Sequence, residues 1–550
     1  MKRDKLDRLN FFLAVSSGLL LTLSFPKAGF SWLAWFALIP LLAALRNLSP
    51  KNGFYIGLCA GLAHYLTLVY WLAHTMSTYG HLPFYASVPI LLILSAYLAL
   101  YVAIFSMGLT LFYQRPLVLL FMIPSVWVSL EYIRSFLFTG FPWELLGYTQ
   151  FDVLHLIQIS DIFGVYGVSF YIALSNAAIF LVYLYLTGKD WQENEVKAKL
   201  ASGSIVIFVL IFCFVWFYGK WRIQSIQKLT SVSPSVRVAI VQGNIDQAKK
   251  WDPAFQRAST VKYINLSLLA KKHKPDLVVW PETATPFYFL RNARLSEMVK
   301  KGIHDTGADF LIGSPSFNPG TNSVEYYNSA YLIGPGGNVY GKYDKAHLVP
   351  FGEYIPFKKW LPFLGKMVES VGDFNPGKKG HTIKWGDYRL GVQICYEIIF
   401  PDLSRAMTKN HASLLVNITN DAWYGRSSAP NQHFSMTILR AVENRRSIIR
   451  AANTGISGFI DPSGRVIAST QLFKDATITR SVPMLEGTTF YSRFGDLFAM
   501  VCLGLTLVSI FMCYLIRAGT KNIYHKDTKE ELKDITKRII IEQNGNYYRR

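Results

Sequence analysis

A chain of 550 residues is too long for one ordinary hydrophobic core, so two or more structural units are expected. Hydrophobic residues make up 51% and charged residues 17%, and the mean hydropathy is positive, values that argue against a wholly water-soluble protein and suit one that is half membrane. The net charge of +21 is scattered and accompanies no recognisable nucleic-acid module, so an anionic lipid surface is the expected partner and no nucleic acid is expected.

The charged start MKRDKLDR precedes the apolar run LNFFLAVSSGLLLTLSF, which has the look of a signal peptide. Further apolar runs follow at once and no small-residue cleavage site intervenes, so the run reads as an uncleaved first span. Runs of span length then sit near 29–46, 54–75, 84–113, 117–137, 155–186 and 202–219, with another near 493–516. The expected organisation is a membrane domain of seven transmembrane helices over 1–220, a globular domain over 221–490, an eighth transmembrane helix over 491–517, and a charged tail over 518–550.

Loop charges set the orientation. With the N-terminus inside, the inner loops carry Arg46, Lys51, Arg115, Lys189, Lys197 and Lys199, whereas outer loops 75–83 and 138–154 carry no Lys or Arg; Lys27 is the exception. The globular domain is therefore expected on the outer face and the tail in the cytoplasm.

Within 221–490, short runs rich in Val, Ile and Leu predict strands at 236–242, 276–280, 308–313, 329–334, 389–394, 412–418, 447–452 and 457–461. Helical patterns lie between several of them, so an α/β layered domain with a buried sheet is expected.

Cys59, Cys213, Cys502 and Cys513 fall in apolar runs, leaving Cys395 alone in the polar middle, where an intrachain disulfide is excluded. A lone cysteine in RLGVQICYEIIFP is by default a small core hydrophobe. Two other segments alter that balance. The run DLVVW ends in PET, which puts Glu282 just past a strand end, and in GKYDKAHLVPFGEYIPF Lys345 and Glu353 flank a loop. A carboxylate able to take a thiol proton, an ammonium able to stabilise an oxyanion and a thiol able to attack a carbonyl together make a nucleophilic site.

PET followed by a proline, Y-x-K-x-x-LVPFGE, and ICYE-x-x-FP resemble the catalytic segments of the nitrilase, or carbon–nitrogen hydrolase, superfamily. With the spans on either side, the pattern is similar to the apolipoprotein N-acyltransferase family; GFPWELLGY at 140–148, DIFGVYGVSF at 161–170, VQGNIDQAKKW at 241–251, YNSA at 327–330 and NITNDAWYG at 417–425 also match, and only the tail beyond 517 does not. The resemblance implies an αββα sandwich on a multi-span α-helical membrane domain. It implies Glu282 as general base, Lys345 as oxyanion stabiliser and Cys395 as acylated nucleophile, with supporting or substrate-binding roles for Trp143, Trp251, Asn328, Glu353, Tyr396 and Glu397. It further implies a phospholipid acyl donor, typically phosphatidylethanolamine, a diacylglyceryl apolipoprotein acceptor, no cofactor, a monomer, and a place in the bacterial inner membrane with the catalytic domain periplasmic. A membrane-tethered amidase and a transporter with an accessory domain are the alternatives, the second drawing on Glu131 and Arg134 near a span end.

Phe357, Trp360, Leu361, Leu364, Met367 and Val368 recur at helical spacing among lysines, as in an interfacial element. FYFL at 287–290 fits an acyl entrance or the start of a buried helix. His347 and His433 lack metal-ligand spacing and read as structural or exposed, and 431–450 reads as scaffolding.

Overall fold

The computed structural model describes residues 6–80, 82–319, 324–355, 374–516 and 535. The segment around 357–368 and nearly all of the tail lie outside the described residues.

Among the described residues five helices, Phe84–Phe112, Pro116–Arg134, Ser160–Leu186, Ala198–Val232 and Leu497–Ile516, are long and apolar enough to cross a membrane. A sixth candidate is the pair Pro50–Leu68 and Trp71–Thr78, bent by 50° at its break. Arg8–Leu23 and Ser31–Ala44, where two further spans are expected from the sequence, are apolar but shorter. Small residues let the helices touch: a Cβ on Gly57 would lie 2.5 Å from Ser106 Oγ, and one on Gly61 2.7 Å from Ala99 Cα, so Pro50–Leu68 meets Phe84–Phe112 almost backbone to backbone. Glu131 and Arg134 are buried. Glu131 accepts from Trp127 Nε1 at 3.0 Å and Leu146 N at 2.7 Å, and Arg134 donates to Tyr65 Oη at 2.5 Å.

Ala198–Val232 is 35 residues long, about 50 Å at the usual rise, and its far end feeds the globular domain directly. That domain contains β1 (Ser235–Gln242), β2 (Leu277–Val279), β3 (Asp309–Pro319), β4 (Val324–Ile333), β5 (Val339–Asp344), β6 (Thr382–Trp385), β7 (Tyr388–Ile394), β8 (Leu414–Thr419), β9 (Ile448–Ala452), β10 (Gly458–Ile460), β11 (Val466–Ser469) and β12 (Ala476–Pro483). They form two six-stranded sheets, ordered β12-β1-β2-β3-β4-β5 and β11-β10-β9-β8-β7-β6. Each has a parallel centre, β1-β2-β3 in one and β7-β8-β9 in the other, flanked by antiparallel neighbours.

The strand period decides the layering. Val238 and Ile240 of β1, with Leu277 and Val279 of β2, join one core with Leu390, Val392 and Ile394 of β7. The alternate residues Ala239, Val241 and Val278 pack instead with Tyr263, Val299 and Ile303, from helices Pro253–Ala270 and Ala293–Thr306. The other sheet is covered by Pro401–Lys409 and Ala429–Asn444, whose Met407, Leu439 and Val442 are buried in the first core. The expected αββα sandwich is thus present, with one helical layer also packed on the membrane bundle.

A buried carboxylate pins that junction. Asp161, at the start of Ser160–Leu186, accepts from Tyr218 Oη at 2.7 Å and Arg222 Nε at 2.6 Å, both on Ala198–Val232, and from Arg445 Nη2 of the globular domain at 2.7 Å. Leaving any of these groups buried and unpaired would cost several kcal/mol, roughly 3–5 for a broken buried ion pair.

Candidate active site

The buried side chains of greatest chemical potential cluster where the central strands end, the position at which α/β sheets commonly build sites. β7 turns Leu390, Val392 and Ile394 into the core, and the chain then turns sharply, with Cys395 at φ +55°. A non-glycine residue held there is strained, so its surroundings must fix it. Two donors do so: His433 Nε2 lies 3.2 Å and Asn417 Nδ2 3.4 Å from the Cys395 carbonyl oxygen. A carbonyl oxygen only accepts, so His433 Nε2 carries a proton, while Nδ1 stands between Arg450 Nη2 at 2.9 Å and Asp421 Oδ1 at 3.1 Å; burial and then Arg450 push the imidazole below its ordinary value. Arg450 also pairs with Asp421 Oδ2 at 2.8 Å.

Burial pushes the Cys395 thiol up to about 12, Glu282 adds to the shift and Lys345 opposes it. Such a thiol is almost wholly protonated at neutral pH and needs a base to react.

Glu282 follows β2 in the PET turn and is 7% exposed. Its Oε1 accepts from Asn328 Nδ2 at 2.8 Å and lies 3.8 Å from Lys345 Nζ, while Oε2 is buried and has no hydrogen-bond partner among the described residues. Lys345, 1% exposed at the end of β5, pairs with Glu353 Oε1 at 2.8 Å. Burial alone would lower the Lys345 ammonium, but Glu353, Glu282 and Cys395 outweigh it and hold the group charged, above its ordinary value. Asn328 Nδ2 also reaches Glu353 Oε1 at 3.0 Å, so one amide bridges both carboxylates, and Glu353 Oε2 accepts from Val349 N at 2.9 Å.

Glu397 is completely buried and has no capacity left for a substrate. Its carboxylate accepts from Ile394 N at 2.6 Å, Ala346 N at 2.7 Å, His347 N at 3.0 Å and Tyr343 Oη at 2.9 Å. It therefore ties the loop carrying Lys345 to the strand carrying Cys395. Burial raises its carboxyl to about 7 against the pull of these donors. Tyr396 is buried too, its ring edge-on to Phe400 at 5.1 Å.

The structure brings Glu282, Asn328, Lys345, Glu353, Cys395, Tyr396 and Glu397 into one buried cluster. Trp143 joins it from the membrane domain: it is 1% exposed, lies against His433 at 5.7 Å, and donates to Gln432 Oε1 at 2.9 Å. Trp251 is placed differently. It follows the short helix Gln247–Lys250 and is 48% exposed. FYFL is no helix: Phe287 and Phe289 are buried, and Leu290 is exposed.

Lys250, which the sequence does not distinguish from many other lysines, is buried beside Glu282 and donates to its carbonyl at 3.0 Å. Gln432 is likewise hidden in the sequence. Its Oε1 accepts from both Trp71 Nε1, at 3.2 Å, and Trp143, while its Nε2 donates to Leu68 O at 3.3 Å, at the break of the bent helix pair.

Two family models match: the apolipoprotein N-acyltransferase N-terminal domain over residues 17–178, and carbon–nitrogen hydrolase over 237–489. An apolipoprotein N-acyltransferase of Geobacter metallireducens is 44% identical over 95% of this chain and 98% of its own length. The chain belongs to the apolipoprotein N-acyltransferase family. Another relative of that name, from Methylococcus capsulatus, is 31% identical over 88% of this chain and 92% of its own. Among solved structures, an amidase from Nesterenkonia sp. is similar at 17% identity and TM-score 0.36, covering 48% of this chain and 95% of that one. The carbon–nitrogen hydrolase match spans the whole cluster from Glu282 to Glu397, and the N-terminal match includes Trp143. The chain is thus an acyltransferase with a nitrilase-type domain joined to a membrane-type helical bundle.

Proposed function

We propose that the protein transfers an acyl chain from a phospholipid to the N-terminal α-amine of a diacylglyceryl apolipoprotein, through a thioester on Cys395. Glu282 takes the thiol proton on its free Oε2 as the sulfur attacks the ester carbonyl. Lys345 stabilises the resulting oxyanion. Collapse of the tetrahedral intermediate breaks the ester bond, the proton passes to the departing alkoxide, and a lysophospholipid leaves. The apolipoprotein amine then attacks the thioester, gives up a proton to Glu282, and the thiolate departs and is reprotonated. Phosphatidylethanolamine is the proposed donor.

The observation that carries this reading is the convergence of an unspent carboxylate oxygen, a charged lysine and a strained, protonated cysteine in one buried cluster. A closed site favours acyl transfer to an amine over loss of the thioester to water. Supporting roles follow from the contacts: Asn328 and Glu353 orient Glu282 and Lys345, Glu397 and Tyr396 hold the nucleophile turn, and Trp143 backs it from the membrane side. Exposed Trp251 is placed to meet an arriving lipid or peptide.

The proposed domain division is a membrane domain over 1–220, a catalytic domain over 221–490 and a final span over 491–517, with the protein acting as a monomer in the inner membrane. The lysine and arginine bias of the loops favours a periplasmic catalytic domain.

The test is mass spectrometry of the purified enzyme after incubation with phosphatidylethanolamine vesicles. A hydroxylamine-labile fatty acyl adduct on Cys395 is expected, absent in Cys395→Ala and discharged by a diacylglyceryl peptide. An equal adduct in Cys395→Ala would refute the mechanism.

A further inference from the structure

The base has a second cation at its back. Lys250 ends the helix Gln247–Lys250, is 2% exposed, and has no carboxylate within 4.0 Å among the described residues. A buried ammonium without a paired charge is costly, and among the described residues its hydrogen bond is to the main-chain carbonyl of Glu282. That bond bears on a tight turn, since the next residue, Thr283, has φ +46°.

Neighbouring bonds keep Lys250 from moving away. Gln247, one turn earlier, accepts from Asn420 Nδ2, and Asn420 Oδ1 is in turn bonded by Asn453 Nδ2 at 3.1 Å. The titratable groups acting on Lys250 are Glu282, after β2, and Cys395, after β7. Lys345 lies beyond Glu282 Oε1, and on its own segment Asp246, Lys249 and Asp252 are solvent-exposed.

We propose that Lys250 is a positioning residue for acylation of Cys395: its ammonium fixes the main chain at Glu282, so that the carboxylate keeps its place between Asn328 and Lys345, and adds a second positive charge beside the reacting thiol. The proposal rests on Glu282 serving as the base. Burial lowers the Lys250 ammonium to about 8, Glu282 and Cys395 opposing, so its charge is present below that pH and lost above it. The neutral amine still donates a hydrogen bond, which separates the loss of charge from the loss of the bond.

The test is single-turnover formation of the Cys395 thioester in lipid vesicles between about pH 6 and 9, with no amine acceptor present. Lys250→Met, lacking bond and charge, should acylate about tenfold to a hundredfold more slowly at neutral pH, the scale of a small misplacement of a reacting group. Lys250→Arg should restore most of the rate. Lys250→Gln, a donor without charge, should restore part of it, and should lack the fall in rate expected of the wild type above about pH 8. A wild-type rate and pH profile in Lys250→Met would overturn the proposal, as would a fall above pH 8 that persists in Lys250→Gln. Glu282→Gln run alongside separates the two readings. Normal acylation by that variant overturns the base assignment itself, whereas slow Glu282→Gln with normal Lys250→Met overturns the Lys250 role alone.

Discussion

His433 Nε2 donates to the carbonyl oxygen of Cys395 across 3.2 Å, so the imidazole acts on that residue's backbone and not on its sulfur. The strained φ of Cys395 is thereby held from below. His433→Ala should leave that oxygen with Asn417 alone and let the turn relax. The expected outcome is slower thioester formation with unchanged lipid binding, together with a stability loss of about 1–3 kcal/mol. His433→Gln, whose amide can still donate, should recover part of the rate. Single-turnover acylation with parallel thermal unfolding checks this, and an unchanged rate in His433→Ala would exclude the positioning role.

Glu282→Gln should fail at acylation itself. With the thiol at about 12, little thiolate exists at neutral pH, and an amide cannot take the proton. A loss of about 10²–10⁴-fold is expected. Raising the pH toward the thiol's own range should recover rate in this variant more steeply than in the wild type. Flat pH dependence in Glu282→Gln would count against the base assignment.

Lys345→Met removes the oxyanion partner and also strands Glu353, which loses its 2.8 Å ion pair. Activity should fall by about 10²–10³-fold, and stability by about 3–5 kcal/mol because a buried carboxylate is left unpaired. Adding Glu353→Gln should restore much of the stability and none of the activity. Recovery of activity in the double variant would show that Lys345 serves the fold alone.

Glu397→Gln exchanges an acceptor for a donor that faces the Ile394 N–H or its counterparts. At least one backbone donor is left unpaired, at about 1–3 kcal/mol. Because the lost bonds join the loop of Lys345 to the turn of Cys395, the acylation rate should drop more than lipid affinity does. Equal losses in both would point to general unfolding of the site.

Much of the sandwich was legible because its central strands are apolar on both faces. Runs such as VRVAIVQ and ASLLVNI stand out in any window. The missed strands β5 and β12 are partly exposed and polar, as in VYGKYD and ATITRSVP, while β6 and β11 are four-residue edges. Cys395, Glu282 and Lys345 were found through motif resemblance, since each taken singly resembles a core thiol or a loop charge. Lys250 and Gln432 carried no signal: the partners that define them lie 32 and as many as 364 positions away along the chain. The membrane helices were legible as apolar runs, but length and composition do not reveal where a helix breaks. The break after Leu68 is visible only in three dimensions.

That break has a consequence for any attempt to make the enzyme water-soluble. Gln432 supplies the polar partner for Leu68 O and for two indoles, and through Trp143 the bundle gives His433 a surface to rest on. Each half therefore finishes the other. A catalytic fragment beginning near Ser235 would present a buried glutamine to solvent and lose the aromatic backing of its nucleophile turn. The severed bundle would keep the Leu68 carbonyl without the Gln432 amide that donates to it. Domain shuffling that treats the two halves as interchangeable cassettes should fail unless residues 68–71, 143 and 432–433 travel together.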